Sequence, residues 1–417
     1  MLRSFILTII ASLSAWPLSK FYNLPELASL LPVAAIGMFF QGSSSMRVHV
    51  AQRDMDVRRV MFLELTVQFV GIVTMLIAAS IAASPWAPVI AGVVSGATHL
   101  TLSFVIFPGP RDRFAWDKSA VREIVLFGKW ILASTGLTFA ANHLDRFIFG
   151  KLAALTMLGF YNQALNLAMI AATVVGQLGS KVFLPFFSGV VGEQGDLPAE
   201  YRRARGPVMV AGGWLVSLLV VGGPAAVVFL YPPVYEPSGV MLQLLAVSSW
   251  FGLVLDGPNW TALIALGRPR LVALGGLTKL VVMVPGLFVG GAIGRSLTGT
   301  EIGAFSGALT GLMLADFSRY AFLTWCARQN GLKDLRLDIL LSFSVLATSA
   351  IGLGLLRVLD RFVVVDWSNA IHSAVPFVSA ARAKGLLDGL FAALVVTALW
   401  LPQLRKAWRQ RRFGAGA

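Results

Sequence analysis

The sequence predicts an all-α, polytopic membrane protein of about twelve transmembrane helices, and three observations predict it. Charged residues make up 13% of the chain, against about 25% in soluble domains, and the mean hydropathy is +0.76. Apolar runs of about 20 residues recur from end to end, the length a helix needs to cross ~30 Å of hydrocarbon. The basic residues fall between those runs rather than on one domain. The net charge of +14 therefore reads as a set of orientation signals and not as a nucleic-acid footprint.

The runs fall at roughly 2–19, 27–46, 60–83, 86–107, 126–149, 152–176, 206–230, 238–264, 269–292, 302–325, 337–357 and 385–402. Arg3 precedes the first, which is read as a retained helix rather than a cleaved signal. With Met1 inside, alternate turns collect the basic residues. Arg47, Arg53, Arg58 and Arg59 follow the second run, and Arg111, Arg113, Lys118, Arg122 and Lys129 follow the fourth. Arg202, Arg203 and Arg205 precede the seventh run, and Arg268 and Arg270 follow the eighth. Arg328, Lys333 and Arg336 follow the tenth, and Arg405 to Arg412 close the chain. The opposite turns are poor in Lys and Arg, so both termini are predicted cytoplasmic. Two Arg-rich stretches, 111–124 and 193–205, are expected as short amphipathic helices lying on the inner face. Pro32, Pro224, Pro258 and Pro285 interrupt helices and are expected to kink them.

A weak internal repeat runs through the chain. Phe21-Tyr22-Asn23-Leu24-Pro25-Glu26 precedes the second run, and Tyr231-Pro232-Pro233-Val234-Tyr235-Glu236 precedes the eighth. The basic turns 52–54 and 267–270 follow them at the same offset of about 210 residues, as in the parallel repeats of transporters. Runs one to four thus match runs seven to ten. Runs five and six lack counterparts, so the first half is expected to lack two helices ahead of Met1.

Several short motifs then resemble one family. They are Phe21-Tyr22-x-x-Pro25-Glu26-Leu27, Gln52-Arg53-x-x-Asp56-x-Arg58-Arg59, Phe127-Gly128-Lys129-Trp130 and Asn142-x-x-Asp145-Arg146. Leu158-Gly159-x-Tyr161-x-x-Ala164-x-Asn166-Leu167 and Ala265-Leu266-Gly267-Arg268 complete the set. In their order and spacing they resemble Wzx-type polysaccharide flippases of the multidrug/oligosaccharidyl-lipid/polysaccharide exporter superfamily. The resemblance implies two helical lobes around a central cavity. Residues 1–107 would be a partial first lobe of four helices, 108–125 a cytoplasmic linker, 126–326 a six-helix lobe, and 327–417 an extra helix pair with a basic tail. It also implies a lipid-linked oligosaccharide of the undecaprenyl-diphosphate type as substrate. Membrane lipids, and the polysaccharide polymerase and export machinery, are the implied partners.

Ionisable residues inside membrane helices are costly, so each is a functional candidate. Lys279 stands about ten residues into its run, roughly 15 Å deep, either in a substrate cavity or in an ion pair with a neighbouring helix. Asn142, Asp145 and Arg146 share one helix at i, i+3 and i+4, and form either a phosphate site, which an Arg fork suits, or a salt-bridged helix end. Asp316 and Arg319, three apart, either contact substrate or neutralise one another. Tyr161, Gln163 and Asn166 either line the sugar path or bind helices together. Glu64 with Gln68, and Asp256 with Asn259, are candidates for coupling to protons or sodium. His99 reads as a packing residue, and His49, His99, His143 and His372 lack metal-ligand spacing. Cys326, the one cysteine, reads as a small packed residue. No cofactor, Walker loop or nucleophile–base pair is apparent. Two other readings stand beside the flippase: a membrane polymerase or ligase acting on the same glycans, and a multidrug or cation antiporter. The outer loop 358–384 is too small for the first, and a cationic membrane interior disfavours the second.

Overall fold

The computed structural model describes residues 2–53, 56–107, 139–140, 143–151, 155–178, 183–192, 195–332, 334–362 and 379–412. Among them there is no β-strand. The helices are α1 (Leu2–Tyr22), α2 (Leu27–Gly42), α3 (Arg47–Arg53), α4 (Val57–Ile81), α5 (Trp86–Val105), α6 (143–151), α7 (Leu155–Leu178) and α8 (Leu184–Gly192). They continue with α9 (Leu197–Leu230), α10 (Pro237–Ser249), α11 (Asp256–Ala265), α12 (Pro269–Thr298), α13 (Glu301–Gln329), α14 (Leu335–Phe362) and α15 (Ala380–Arg412). Eight described helical spans are long and apolar enough to cross a membrane, and each coincides with an expected run. The protein is an all-α, multi-pass membrane protein.

Local chemistry sets the ends of these helices. Asp56, Asp196 and Thr300 cap α4, α9 and α13, accepting hydrogen bonds from the backbone N–H three residues on. Gly299, at φ 67°, closes α12 in the left-handed region open to glycine. Between α10 and α11 the helix continues as a π segment, Trp250–Leu255. Pro258 has no N–H to give the carbonyl four residues back, and the widened turn absorbs that mismatch.

The chain divides into two compact units, Met1–Phe127 and Gly128–Ala417. In the first, α1 packs on α2, α2 on α5 and α4 on α5. Gly37 of α2 meets the backbone of Gly92 on α5, and a Cβ at Gly37 would lie 2.9 Å from the Gly92 carbonyl oxygen. The outer surface of this unit is apolar, with Leu13, Phe69 and Leu76 exposed, as hydrocarbon allows.

In the second unit one core draws on six helices. Phe149 (α6), Tyr161 (α7), Val227 (α9), Leu242 (α10), Met283 (α12) and Phe305 (α13) all belong to it. The helix pairing repeats that of the first unit: α9 packs on α10, α10 on α13 and α12 on α13. α14 and α15 lie against α9. Indole N–H groups fasten this pair, Trp214 to Thr397 at 3.2 Å, Trp250 to Ser342 at 2.9 Å and Trp400 to Ser217 at 3.2 Å.

One local expectation is overturned. Residues 197–205 do not form a separate surface helix but begin α9. Tyr201 and Arg205 are buried there, and partners on neighbouring helices hold them, so this turn packs inward. The stretch 111–124 lies outside the described residues.

Candidate functional site

A column of buried polar groups runs through the second unit, carried mainly by α10–α11 and α13. At its middle, Lys279 Nζ of α12 lies 2.7 Å from Asp316 Oδ1 of α13. Ser248 of α10 donates to Asp316 Oδ2 at 2.6 Å. Gly252, in the π segment, makes room for this carboxylate, since a Cβ there would lie 2.9 Å from Asp316 Oδ1. One turn along α13, Arg319 Nε lies 3.1 Å from Oδ2 of Asp256, whose side chain is fully buried. That contact is close but not aimed as a hydrogen bond, and neither Asp256 oxygen accepts one among the described residues. The four charges balance in pairs. Lys279 and Asp316 are about equally accessible, at 13% and 12% of their side-chain surface, whereas Arg319 keeps 20% and Asp256 none.

Below this cluster, by the residue order of α13, the hydroxyl of Tyr201 donates to Asn259, whose amide donates to Thr324 Oγ1 at 3.0 Å. Between the two, in the same order, Arg205 forms a buried ion pair with Asp338, which also accepts from the Tyr320 hydroxyl at 2.7 Å. At the other end of the column Tyr161 donates to Asp145, beside the rings of Phe149 and Phe305.

These placements show which of the candidate residues meet one another. Lys279 is in an ion pair with a neighbouring helix. Asp316 and Arg319 do not neutralise one another: each pairs with a different helix. Their side chains leave α13 about 60° apart on one face, and each reaches a partner on a different neighbouring helix, Lys279 of α12 and Asp256 of α11. Asp256 and Asn259 likewise separate, Asn259 joining Tyr201 and Thr324. Asp145 is buried whereas Arg146 is exposed, because adjacent helical positions do not share a face. Asn142 lies outside the described residues. Tyr161 faces the core, Gln163 is half-buried and Asn166 exposed, so the three do not line one surface. Glu64 and Gln68 stand on an exposed face of α4 in the first unit. His99 and Cys326 are buried, and among the described residues no group of three potential metal ligands occurs.

Sequence reasoning missed Arg205, Ser248 and the acid that holds Arg205. Asp338 sits four residues into an apolar helix, a signal that a basic partner must face it. Ser248 gave no signal, since a lone serine in a membrane helix is common.

The fold and these charges define a multi-pass membrane protein with buried ion pairs in one of its two units. A family model described as "Polysaccharide biosynthesis protein" matches residues 1–236. The chain belongs to that family, and its role lies in polysaccharide biosynthesis. Over 262 residues, 61% of the chain, it is 23% identical to the amylovoran biosynthesis protein AmsL of Erwinia amylovora. That alignment spans 66% of AmsL.

Proposed function

We propose that the chain is a flippase, moving polyprenyl-diphosphate-linked oligosaccharide of the undecaprenyl type across the bacterial inner membrane, with both termini cytoplasmic. The observation that carries this reading is the mid-helix cluster of Lys279, Asp316, Asp256 and Arg319 in a polysaccharide biosynthesis protein. A diphosphate cannot cross hydrocarbon unaided, and an Arg fork and a Lys ammonium are the side chains that bind it.

Because the acids balance the bases, binding is an exchange. Substrate phosphates take Lys279 from Asp316 and Arg319 from Asp256. A carboxylate left alone at low dielectric costs several kcal/mol, so the released acid takes up a proton or a sodium ion. That assigns coupling to Asp256, the most buried of the four; Glu64 remains a second candidate. In this reading residues 1–107 belong to one lobe and 126–326 to the other. Residues 108–125 link them, and 327–417 add the last helix pair.

No substrate bond breaks, and the reading includes no cofactor. Polymerase and export machinery would receive the substrate on the far side. The test is the sidedness of the accumulated intermediate in cells lacking the protein. Lipid-linked repeat units should build up where a membrane-impermeant oxidant such as periodate, added outside, does not reach them. Units accumulating on the outer face, open to the oxidant, would instead mark a polymerase or ligase and end the flippase reading.

A further inference from the structure

Within the second unit, apart from the charge cluster, α6, α7, α12 and α13 frame an open cleft of about 360 Å³. Its floor is Phe149 against Phe305, with ring centroids 4.3 Å apart. Leu287 stands at one end, and Gly291 keeps one wall low. At the rim the α12–α13 hairpin contributes Arg295 and Glu301, both exposed. From Arg295 to Leu287 is eight residues, about 12 Å along a helix at 1.5 Å per residue. One leaflet of hydrocarbon is about 15 Å deep, half of the ~30 Å core. The cleft is thus a leaflet-length apolar slot with a cation and an anion at its mouth.

We infer that this slot binds one acyl chain of a zwitterionic phospholipid, phosphatidylethanolamine by its chemistry. The phosphate meets the guanidinium of Arg295, and the primary ammonium donates to the carboxylate of Glu301. Charge complementarity selects the occupant. A diphosphate-linked prenyl lipid would bring at least two negative charges to a rim that has, among the described residues lining it, one cation and one carboxylate. An anionic glycerophospholipid would leave Glu301 unmatched. A choline headgroup has no N–H to give Glu301. The volume lies at the small end of ligand sites, about 300–1,000 Å³, which suits one chain segment. The site is independent of transport, and lipid held there would brace α6 and α7 against the α12–α13 hairpin.

Native mass spectrometry of the full chain tests this, with equal amounts of phosphatidylethanolamine, phosphatidylcholine and phosphatidylglycerol added to detergent-purified protein. The expected result is one ethanolamine lipid retained about tenfold over the others, the factor for one charge-assisted hydrogen bond. Arg295→Ala should remove the preference, and Glu301→Gln should shift it toward phosphatidylglycerol. Gly291→Leu should block all retention while leaving the rim charges in place. A Cβ at Gly291 makes only ordinary contacts, with Ala304 O of α13 at 3.5 Å and Ala308 Cβ at 3.8 Å, and all three residues line the slot, so added bulk there takes up slot volume. Equal retention of the three lipids by the wild-type chain would overturn the inference. So would a Glu301→Gln variant with unchanged selectivity.

Discussion

At the scale of residues, the interior of the second unit is organised by pairing rather than by surplus charge. Lys279 and Asp316 sit at 2.7 Å with little solvent around them. Removing one partner of such a pair costs about 3–5 kcal/mol, because the other charge stays behind, whereas removing both is often close to neutral. Lys279→Ala should therefore lower thermal stability sharply and abolish export, and the Lys279→Ala/Asp316→Ala double variant should regain most of the stability. Export separates the two roles of Lys279. If the lysine contacts substrate, the stable double variant still exports nothing. If the double variant restores polysaccharide at the surface, Lys279 serves only to hold α12 to α13. The Arg205–Asp338 pair should behave differently: Asp338→Ala destabilises, and the loss appears first as loosening of α14, read by protease sensitivity near residue 335. Both lysine roles were legible in the sequence, since an ammonium ten residues into an apolar run must meet something. Which carboxylate it meets was not legible, because Asp316 and Asp256 lie on different helices and only tertiary packing assigns them.

At the scale of elements, the α12–α13 contact is the closest crossing in the second unit. Gly286, Gly290 and Gly294 on α12 face Gly311, Gly307 and Gly303 on α13 in reversed order. Small residues every fourth position let membrane helices approach until backbones touch, where lipid supplies no hydrophobic drive between them. A Cβ at Gly286 would lie 3.0 Å from the Gly311 carbonyl oxygen, and at Gly290 and Gly307 the clash is with the partner's carbonyl itself. Gly307→Ala should push the helices apart and cost about 1–3 kcal/mol. Gly276→Ala, where nothing lies within 4 Å, should be neutral or stabilise by about 0.5–1 kcal/mol. Thermal unfolding of the two variants in one detergent makes the comparison, and equal melting temperatures would contradict the packing. The helices themselves were readable in the sequence, because hydropathy reports length directly, whereas the glycine pairing of α12 with α13 emerges only from their packing. The fate of 197–205 was not, because an Arg-rich turn looks the same whether it meets lipid headgroups or, as here, a buried aspartate.

At the scale of the whole molecule, the two units share one order of helix pairing. α1–α2, α2–α5 and α4–α5 in the first match α9–α10, α10–α13 and α12–α13 in the second. If the repeat is parallel, matched helices run the same way through the bilayer, and α1 and α9 are predicted to leave the same face. The turns after α2 and α11 are then predicted on one side, and those before α2 and α10 on the other. Charge predicts which side is which. Arg47, Arg58 and Arg59 follow α2, and Arg268 and Arg270 follow α11, whereas the matched turns at 23–26 and 231–236 carry no Lys or Arg. Lys and Arg in short loops stay on the cytoplasmic face. Reporter fusions in the turns 43–46 and 266–268, and after α15, should all read cytoplasmic. Fusions in 23–26 and 231–236 should read periplasmic. Opposite readings for 43–46 and 266–268 would break the parallel repeat, since the two halves could then be related only by inversion. A uniform reversal of every site would keep the repeat and discard the charge argument.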